Sequence, residues 1–217
     1  MANLIDPSHF KELAGQTPED VCRRALCRYD DAKKSYILSV WGDEYAIYPY
    51  AFKIERISEK FPVPQEYLYV FIINYVLKAK EIGLFQEWIS EKDMPGGATF
   101  FRGPHEIPTH LISSRFSGDI EAFRKACDQL DGIPLNMADA AYIFKITPRI
   151  PLAVLYWDGD DEFPPESKIL FDASITEHLS LDIIFALAVD ICTRIEVFIN
   201  IARPMEFHKT FQQTDIV

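Results

Sequence analysis

Basic charge is scarce in this chain. Its 22 Lys and Arg face 33 Asp and Glu, a formal net charge of −11 over 217 residues. Gripping nucleic acid or anionic lipid takes clustered cations, so neither is an expected partner. The nearest basic group, Arg23, Arg24 and Arg28, adjoins Asp30 and Asp31 and reads as a solvated helix end. Long apolar runs are missing as well. The most apolar long stretch, Leu181 to Ala202, is interrupted by Asp182, Asp190, Arg194 and Glu196. Each charge at the bilayer centre costs roughly 2.5–3.5 kcal/mol on insertion scales. Asp190 and Arg194 stand four apart and can pair on one side of a helix, so a buried core helix is expected there and not a membrane span. Met1 to Asp6 has no basic start followed by an apolar run, so no secretory signal is expected. Cysteine is limited to Cys22, Cys27, Cys127 and Cys192. The first two lie five apart, which is not a C-x-x-C knuckle. The other two fall in apolar helical patterns, where a thiol acts as a small hydrophobe. A reduced, cytoplasmic protein is the expectation. No internal repeat and no low-complexity segment interrupts the chain.

The hydrophobic fraction of 48% and charged fraction of 25% are ordinary globular values. A chain of this size can bury a sizeable core without staples, and residues 1–217 are expected to form a single α+β domain. Thr17-Pro18-Glu19-Asp20 starts a helix, with a capping Thr, Pro at the first helical position and acids in the first turn, ending near Leu26 to Arg28. Tyr36–Trp41 and Glu44–Tyr48 read as strands around a Gly42-Asp43 turn, and Phe52–Glu55 adds a third antiparallel strand. Pro64 begins a helix that runs to about Glu81 and is closed by Gly83. Glu91 to Pro108 holds three prolines and three glycines and reads as a long irregular excursion. Ser117 caps a helix bearing Ile120, Phe123, Cys127 and Leu130, ended by Gly132. Ala141–Thr147, Leu152–Trp157 and Ile169–Phe171 read as strands. A helix from Ser180 to Ala202 follows, stopped by Pro204, with a frayed tail about residues 208–217. Strands group with strands here and do not alternate βαβ. The pattern points to α+β, antiparallel meanders packed with a central helix and a long buried C-terminal helix.

Four places carry residues suited to chemistry. In Met94-Pro95-Gly96-Gly97-Ala98-Thr99-Phe100-Phe101-Arg102 the paired glycines let backbone approach a ligand closely. Arg102 supplies a bidentate clamp there, and Phe100 or Phe101 a flat apolar wall. The segment is neither G-x-G-x-x-G nor a P-loop, and a tight turn with two core phenylalanines explains it equally. His105, Glu106 and His110 are donors suited to zinc or iron, although Pro108 prevents a helix that would present both rings on one face. Polar loop histidines are the plainer explanation. Trp157-Asp158-Gly159-Asp160-Asp161-Glu162 packs four carboxylates into five residues, an oxygen density that suits Ca²⁺ or Mg²⁺. It lacks the Gly and Glu of an EF-hand loop, and a solvated acidic turn also accounts for it. Asp172, at the end of a strand, stands near Glu177 and His178; it can serve a general base or cap a turn. No nucleophile stands out with a base and an orienting acid, so no triad enzyme is indicated.

Taken together, Leu38-Ser39-Val40-Trp41-Gly42-Asp43-Glu44-Tyr45, Met94-Pro95-Gly96-Gly97, Pro151-Leu152-Ala153-Val154-Leu155-Tyr156-Trp157, Asp160-Asp161-Glu162-Phe163-Pro164 and Leu170-Phe171-Asp172 resemble an uncharacterised family. That family is known as a domain of unknown function and is found largely in anaerobic bacteria and archaea. The resembling stretches span Tyr36 to Asp190, and their order carries the match. Some relatives are fused to, or encoded near, iron–sulfur and corrinoid proteins. The resemblance therefore implies an accessory role in anaerobic redox or one-carbon metabolism. It assigns no activity and no cofactor. This chain lacks a four-cysteine cluster segment, so an iron–sulfur centre would belong to a partner.

Two functional expectations follow. The first is a small-molecule or cofactor-binding protein whose ligand contacts Gly96, Gly97, Phe101, Arg102, Trp157, Asp160, Asp161 and Asp172. It requires the Gly96 loop and the Asp160 turn to share one concavity. The second is a metal-dependent hydrolase drawing on His105, Glu106 and His110 with Asp160, Asp161 and Asp172. Ligand identity and oligomeric state are left open.

Overall fold

Trp41 and Gly42 both take positive φ, 46° and 81°, the backbone of a two-residue hairpin turn whose twist matches its strands. They join β2 (Ser35–Val40) to β3 (Asp43–Tyr48). Val40 pairs with Asp43, so the turn lies one residue before the expected Gly42-Asp43, and Asp43 enters the strand. There it is fully buried and receives Arg56 at 2.6 Å and the Lys60 backbone N–H at 2.7 Å. The Trp41 ring turns inward instead of out to solvent. Its backbone N–H donates to the Ile146 carbonyl at 2.7 Å and its indole N–H to the Leu130 carbonyl at 3.0 Å. The tip of the first meander is thereby fastened to the second sheet.

The structure, a computed structural model, describes residues 5–58, 60 and 66–202, with side chains to 197. Helices α1 (Pro7–Ala14) and α2 (Pro18–Ala25) precede a sheet of order β1-β2-β3-β4, completed by β1 (Arg28–Asp30) and β4 (Lys53–Arg56). Helix α3 (Glu66–Lys78) leads to a second antiparallel sheet of order β5-β9-β8-β7-β6. Its members are β5 (Trp88–Ile89), β6 (Ile133–Pro134), β7 (Ala140–Thr147), β8 (Ile150–Trp157) and β9 (Glu166–Asp172). Between β5 and β6 come α4 (Gly97–Phe100), α5 (His110–Phe116) and α6 (Ile120–Gln129); α7 (Ile175–His178) and α8 (Leu181–Ala202) close the described chain. The fold is α+β, as the grouping of strands implies.

One apolar cluster runs from α1 through both sheets to α8. Period-two alternation divides the second sheet. Tyr142, Phe144, Leu152, Val154, Tyr156, Ile169 and Phe171 face this core. Phe123 of α6 stacks on Tyr156 at 4.9 Å and meets Tyr142 at 6.0 Å, so the helical layer covers that face. Ala141, Ala153 and Leu155 lie on the other face, packed with the partly exposed Trp88, Ile143, Trp157 and Leu170. In α8, Asp190 and Arg194 pair at 3.2 Å with side chains 0% and 2% exposed, and the Arg194 guanidinium lies 4.7 Å from the centre of the Trp41 ring. The helix is the expected buried core element; no helix among the described residues is long and apolar enough to cross a membrane.

Several boundaries differ from expectation, each for a local reason. Helix α3 stops at Lys78, not near Glu81, because the chain leaves it to meet other elements: the Lys80 N–H donates to His178 Nδ1 at 3.1 Å and the Ile82 carbonyl accepts from Arg149 at 2.5 Å. Asp119, not Ser117, caps α6, its carboxylate accepting the Ala122 N–H at 2.9 Å. Helix α1 is an unforeseen element, capped by Asp6 with Pro7 at its first position. Pro151 sits inside β8, opposite Lys145 where the β7 register slips, a place where a missing donor is tolerated. The expected roles of Pro64, Pro204 and the tail lie outside the described residues.

Candidate functional site

Gly97 is placed where only glycine fits. A Cβ built on it would overlap the Glu91 carbonyl oxygen, and its N–H donates to the Met94 carbonyl at 2.8 Å. Gly96 has φ +79°, a conformation open to glycine at no steric cost. Together they fold residues 91–101 into a tight reversal leading into α4. The reversal buries Phe101 at 4% exposure and sets Phe100 across it at 5.0 Å. The two glycines thus shape the wall behind the ligand contacts foreseen for this loop.

Beyond α4 the chain runs past the first half of β9, where Ser167 Oγ donates to the Thr109 carbonyl at 2.6 Å. Between this run and β9 lies a cleft of about 570 Å³. Phe101, Ile107 and Ile169, all buried, give it apolar surface. Its charged lining is mixed, with Lys92, Arg102 and Lys168 against Glu91, Glu106 and Glu166, and with His110, Thr109 and Ser113 beside them. Lys168 is already taken by Glu166 at 3.0 Å. Arg102 is exposed and pairs with no acid among the described residues. An apolar base with an uncommitted guanidinium at its edge suits a small molecule carrying a carboxylate or phosphate.

The acidic turn does not contribute its carboxylates. The cleft takes in Pro165 and Glu166, which follow that turn, but not Trp157, Asp160 or Asp161. Asp160 accepts the N–H groups of Glu162 and Phe163, each at 2.8 Å, and these two bonds hold its carboxyl below the usual range. Asp158 accepts the Gly118 N–H at 3.0 Å and the Tyr156 hydroxyl at 2.9 Å. Trp157 stands on the outer face of the sheet with Lys168 5.4 Å from its ring centre. The cleft thus lies between the loop that follows the glycines and the start of β9, and neither Gly96 nor Gly97 lines it.

Asp172 is a structural carboxylate. Only 4% exposed, it accepts the N–H groups of Phe85, Gln86 and Ser174 at 2.9, 2.8 and 3.0 Å and the Ser174 hydroxyl at 2.5 Å. Burial pushes its pKa up, but these donors outweigh burial and leave it lowered. It ties the loop before β5 to the end of β9. The nearby His178 is 3% exposed and uses Nδ1 as an acceptor. Burial, followed by the Arg149 and Lys80 cations, pushes its pKa down to about 4, so it is a neutral, packed imidazole.

The three candidate metal ligands are not gathered. Glu106 and His110 line the cleft. His105 instead stacks on Phe100 at 4.6 Å and meets Phe185 edge-on at 5.5 Å. The turn over Gly103–His105 and Pro108 breaks the regular spacing that would have aligned the rings. Among the described residues no group of three or more His, Cys, Asp or Glu is placed to hold a metal ion.

Among the cleft residues not foreseen are those of β9. The strand begins at Glu166, three residues before the expected Ile169. Its first half, Glu166-Ser167-Lys168, is polar, and only its alternation exposed-buried-exposed marks it as strand.

Comparison with known proteins adds one finding. A family model described as "Domain of unknown function (DUF3786)" matches residues 17–194, from the cap of α2 to the buried Arg194 of α8. No curated protein and no solved structure matches the chain.

Proposed function

The chain belongs to the family described as a domain of unknown function (DUF3786), and from that footing we propose that it is a binding protein for a small anionic molecule or cofactor. The cleft between the glycine loop and β9 is the site. One observation carries the reading: an uncommitted, exposed Arg102 stands at the mouth of a 570 Å³ cleft with buried Phe101, Ile107 and Ile169 in its lining. The rigid reversal at Gly96 and Gly97 holds that wall in place before any ligand arrives, which lowers the ordering cost of binding. The ligand presents a carboxylate or phosphate to Arg102 and an apolar body to Phe101.

The setting we propose is an accessory role in anaerobic redox or one-carbon metabolism in the cytoplasm, beside iron–sulfur or corrinoid proteins. It rests on the family resemblance of the sequence. Any cluster there belongs to the other protein, since Cys127 and Cys192 are fully buried in this chain. The alternative of a metal-dependent hydrolase would rest on Glu106 and His110.

Thermal denaturation of the purified chain tests this with inorganic phosphate, pyrophosphate and cobalamin as probes, beside native mass spectrometry of the protein as isolated. A ligand that binds only the folded state raises the midpoint. The expected result is a rise with at least one probe, or a co-purified ligand, abolished in Arg102→Ala. No retained mass and no shift with any probe would end the reading. A rise with Zn²⁺ or Mn²⁺ that Glu106→Gln and His110→Ala abolish would favour the hydrolase instead.

A further inference from the structure

We propose that Cys22 and Cys27 form a dithiol that closes to a disulfide under sustained oxidation and so locks the end of α2. The two sulfurs lie 4.0 Å apart in a thiol–thiol contact. The backbone sets up this approach. Leu26, at φ +52°, turns the chain back after α2, and the Cys22 carbonyl accepts both the Leu26 N–H and, at 3.2 Å, the Cys27 N–H. With standard bond lengths and angles, that second bond holds the two Cα atoms no more than about 7 Å apart, inside the limit for a disulfide made without backbone movement. The sulfurs have about 2 Å to close, which side-chain rotation can supply. Both cysteines are half-buried, whereas Cys127 and Cys192 are fully buried, so an oxidant reaches this pair first.

The segment between the cysteines determines what this bond does. The carbonyls of Arg23 and Arg24 accept the Arg149 guanidinium at 3.3 and 2.6 Å, and that of Ala25 accepts the Tyr75 hydroxyl at 3.0 Å. Arg149 lies in the turn from β7 to β8 and Tyr75 in α3. The two sulfurs therefore bracket the stretch that fastens α2 to both. A disulfide closes a ring around it and removes freedom from the unfolded chain. The oxidant is a small disulfide of the glutathione class. The Cys22 thiolate attacks it, forming a mixed disulfide and releasing one thiol; the Cys27 thiolate then attacks the Cys22 sulfur and releases the second. The pair gives up two electrons and two protons, and the oxidant gains them as two thiols. Burial raises the pKa of both thiols, more at Cys27. This assigns the first attack to Cys22 and makes the exchange slow at neutral pH, so the pair answers lasting oxidation and not a brief pulse. In a reducing compartment such bonds serve redox sensing.

The reduced, folded chain is incubated overnight at about pH 8 in glutathione buffers of rising oxidised fraction. Remaining thiols are alkylated, and the chain is digested with trypsin, which cuts after Arg23 and Arg24 between the two cysteines. The expected result is a chain lighter by two hydrogens whose Cys22 and Cys27 peptides are joined, with a thermal midpoint raised by about 5 °C. Dithiothreitol reverses both changes. Cys27→Ser stops at a glutathione adduct on Cys22 and gains no stability. Four free thiols at the most oxidising ratio, glutathione adducts alone in the unmodified chain, a bond to Cys127, Cys192 or a second chain, or a joined pair whose midpoint is unchanged or lower would each overturn the proposal. If Cys27→Ser fails to fold, the peptide map and midpoint of the unmodified chain decide.

Discussion

The carbonyl oxygen of Glu91 fills the space that a Cβ on Gly97 would need. Glu91 lines the cleft, so the same contact that requires glycine fixes one side of the proposed site. Gly97→Ala must displace backbone, not a flexible side-chain end, and is expected to cost more than about 2 kcal/mol. Gly96→Ala, whose Cβ meets only Leu181 Cδ1 at 3.7 Å, carries the left-handed penalty alone, about 1 kcal/mol. Urea denaturation of the two variants checks the order; equal losses would contradict this geometry.

Asp172 accepts four hydrogen bonds in a buried setting. Asp172→Asn replaces one acceptor oxygen by a donor facing other donors, and a loss of about 3 kcal/mol is expected. The ligand contact foreseen for this residue is displaced by that structural duty. Retention of full stability in the variant would reopen it.

His178 gives the fold a pH dependence of definite sign. Its folded pKa, about 4, lies below the roughly 6.5 of an unfolded histidine. Between these values the unfolded chain holds a proton that the native chain does not. Its contribution is fully present above about pH 6.5 and is lost as pH falls toward 4, up to about 3 kcal/mol. Arg149 and Lys80 face the ring and oppose its charging, while Glu177 and Asp172 favour it. Unfolding free energies measured at intervals from pH 7.5 to 4 should show this fall, and His178→Gln should flatten it.

The Asp190–Arg194 pair in α8 predicts non-additivity. Asp190→Leu leaves a buried guanidinium without that carboxylate and is expected to cost about 3–5 kcal/mol, whereas Asp190→Leu with Arg194→Met should recover most of the loss. Additive losses across this cycle would show that the two side chains act independently.

How far these features could be read in advance depends on the distance over which their causes act. Pro18 at the start of α2, the alternation of β2 and β3, and the spacing of Asp190 and Arg194 act within a few residues and appear as expected, although Thr17 flanks α2 without a side-chain capping bond and the β2–β3 turn lies one residue early. The early end of α3 was hidden because its cause, His178, lies 98 residues from Lys80. The paired glycines were legible as a place of close backbone approach, and what Gly97 approaches is the Glu91 carbonyl of its own loop. The neighbour of the loop's later residues was not legible: β9 comes alongside through Ser167 and Thr109, 58 residues apart. The acidic turn misled for a converse reason. Local carboxylate density looks like a site in sequence, yet Asp160 and Asp158 spend their oxygens on nearby backbone and hydroxyl donors.

The flanking strands β5 and β6 have two residues each. Neither is long enough by itself to offer a row of backbone groups for lateral pairing with a further chain. Each covers only two residues of the strand it flanks, Phe171 and Asp172 of β9 and Tyr142 and Ile143 of β7, so an incoming strand at either flank would meet an interrupted ladder in place of a continuous one.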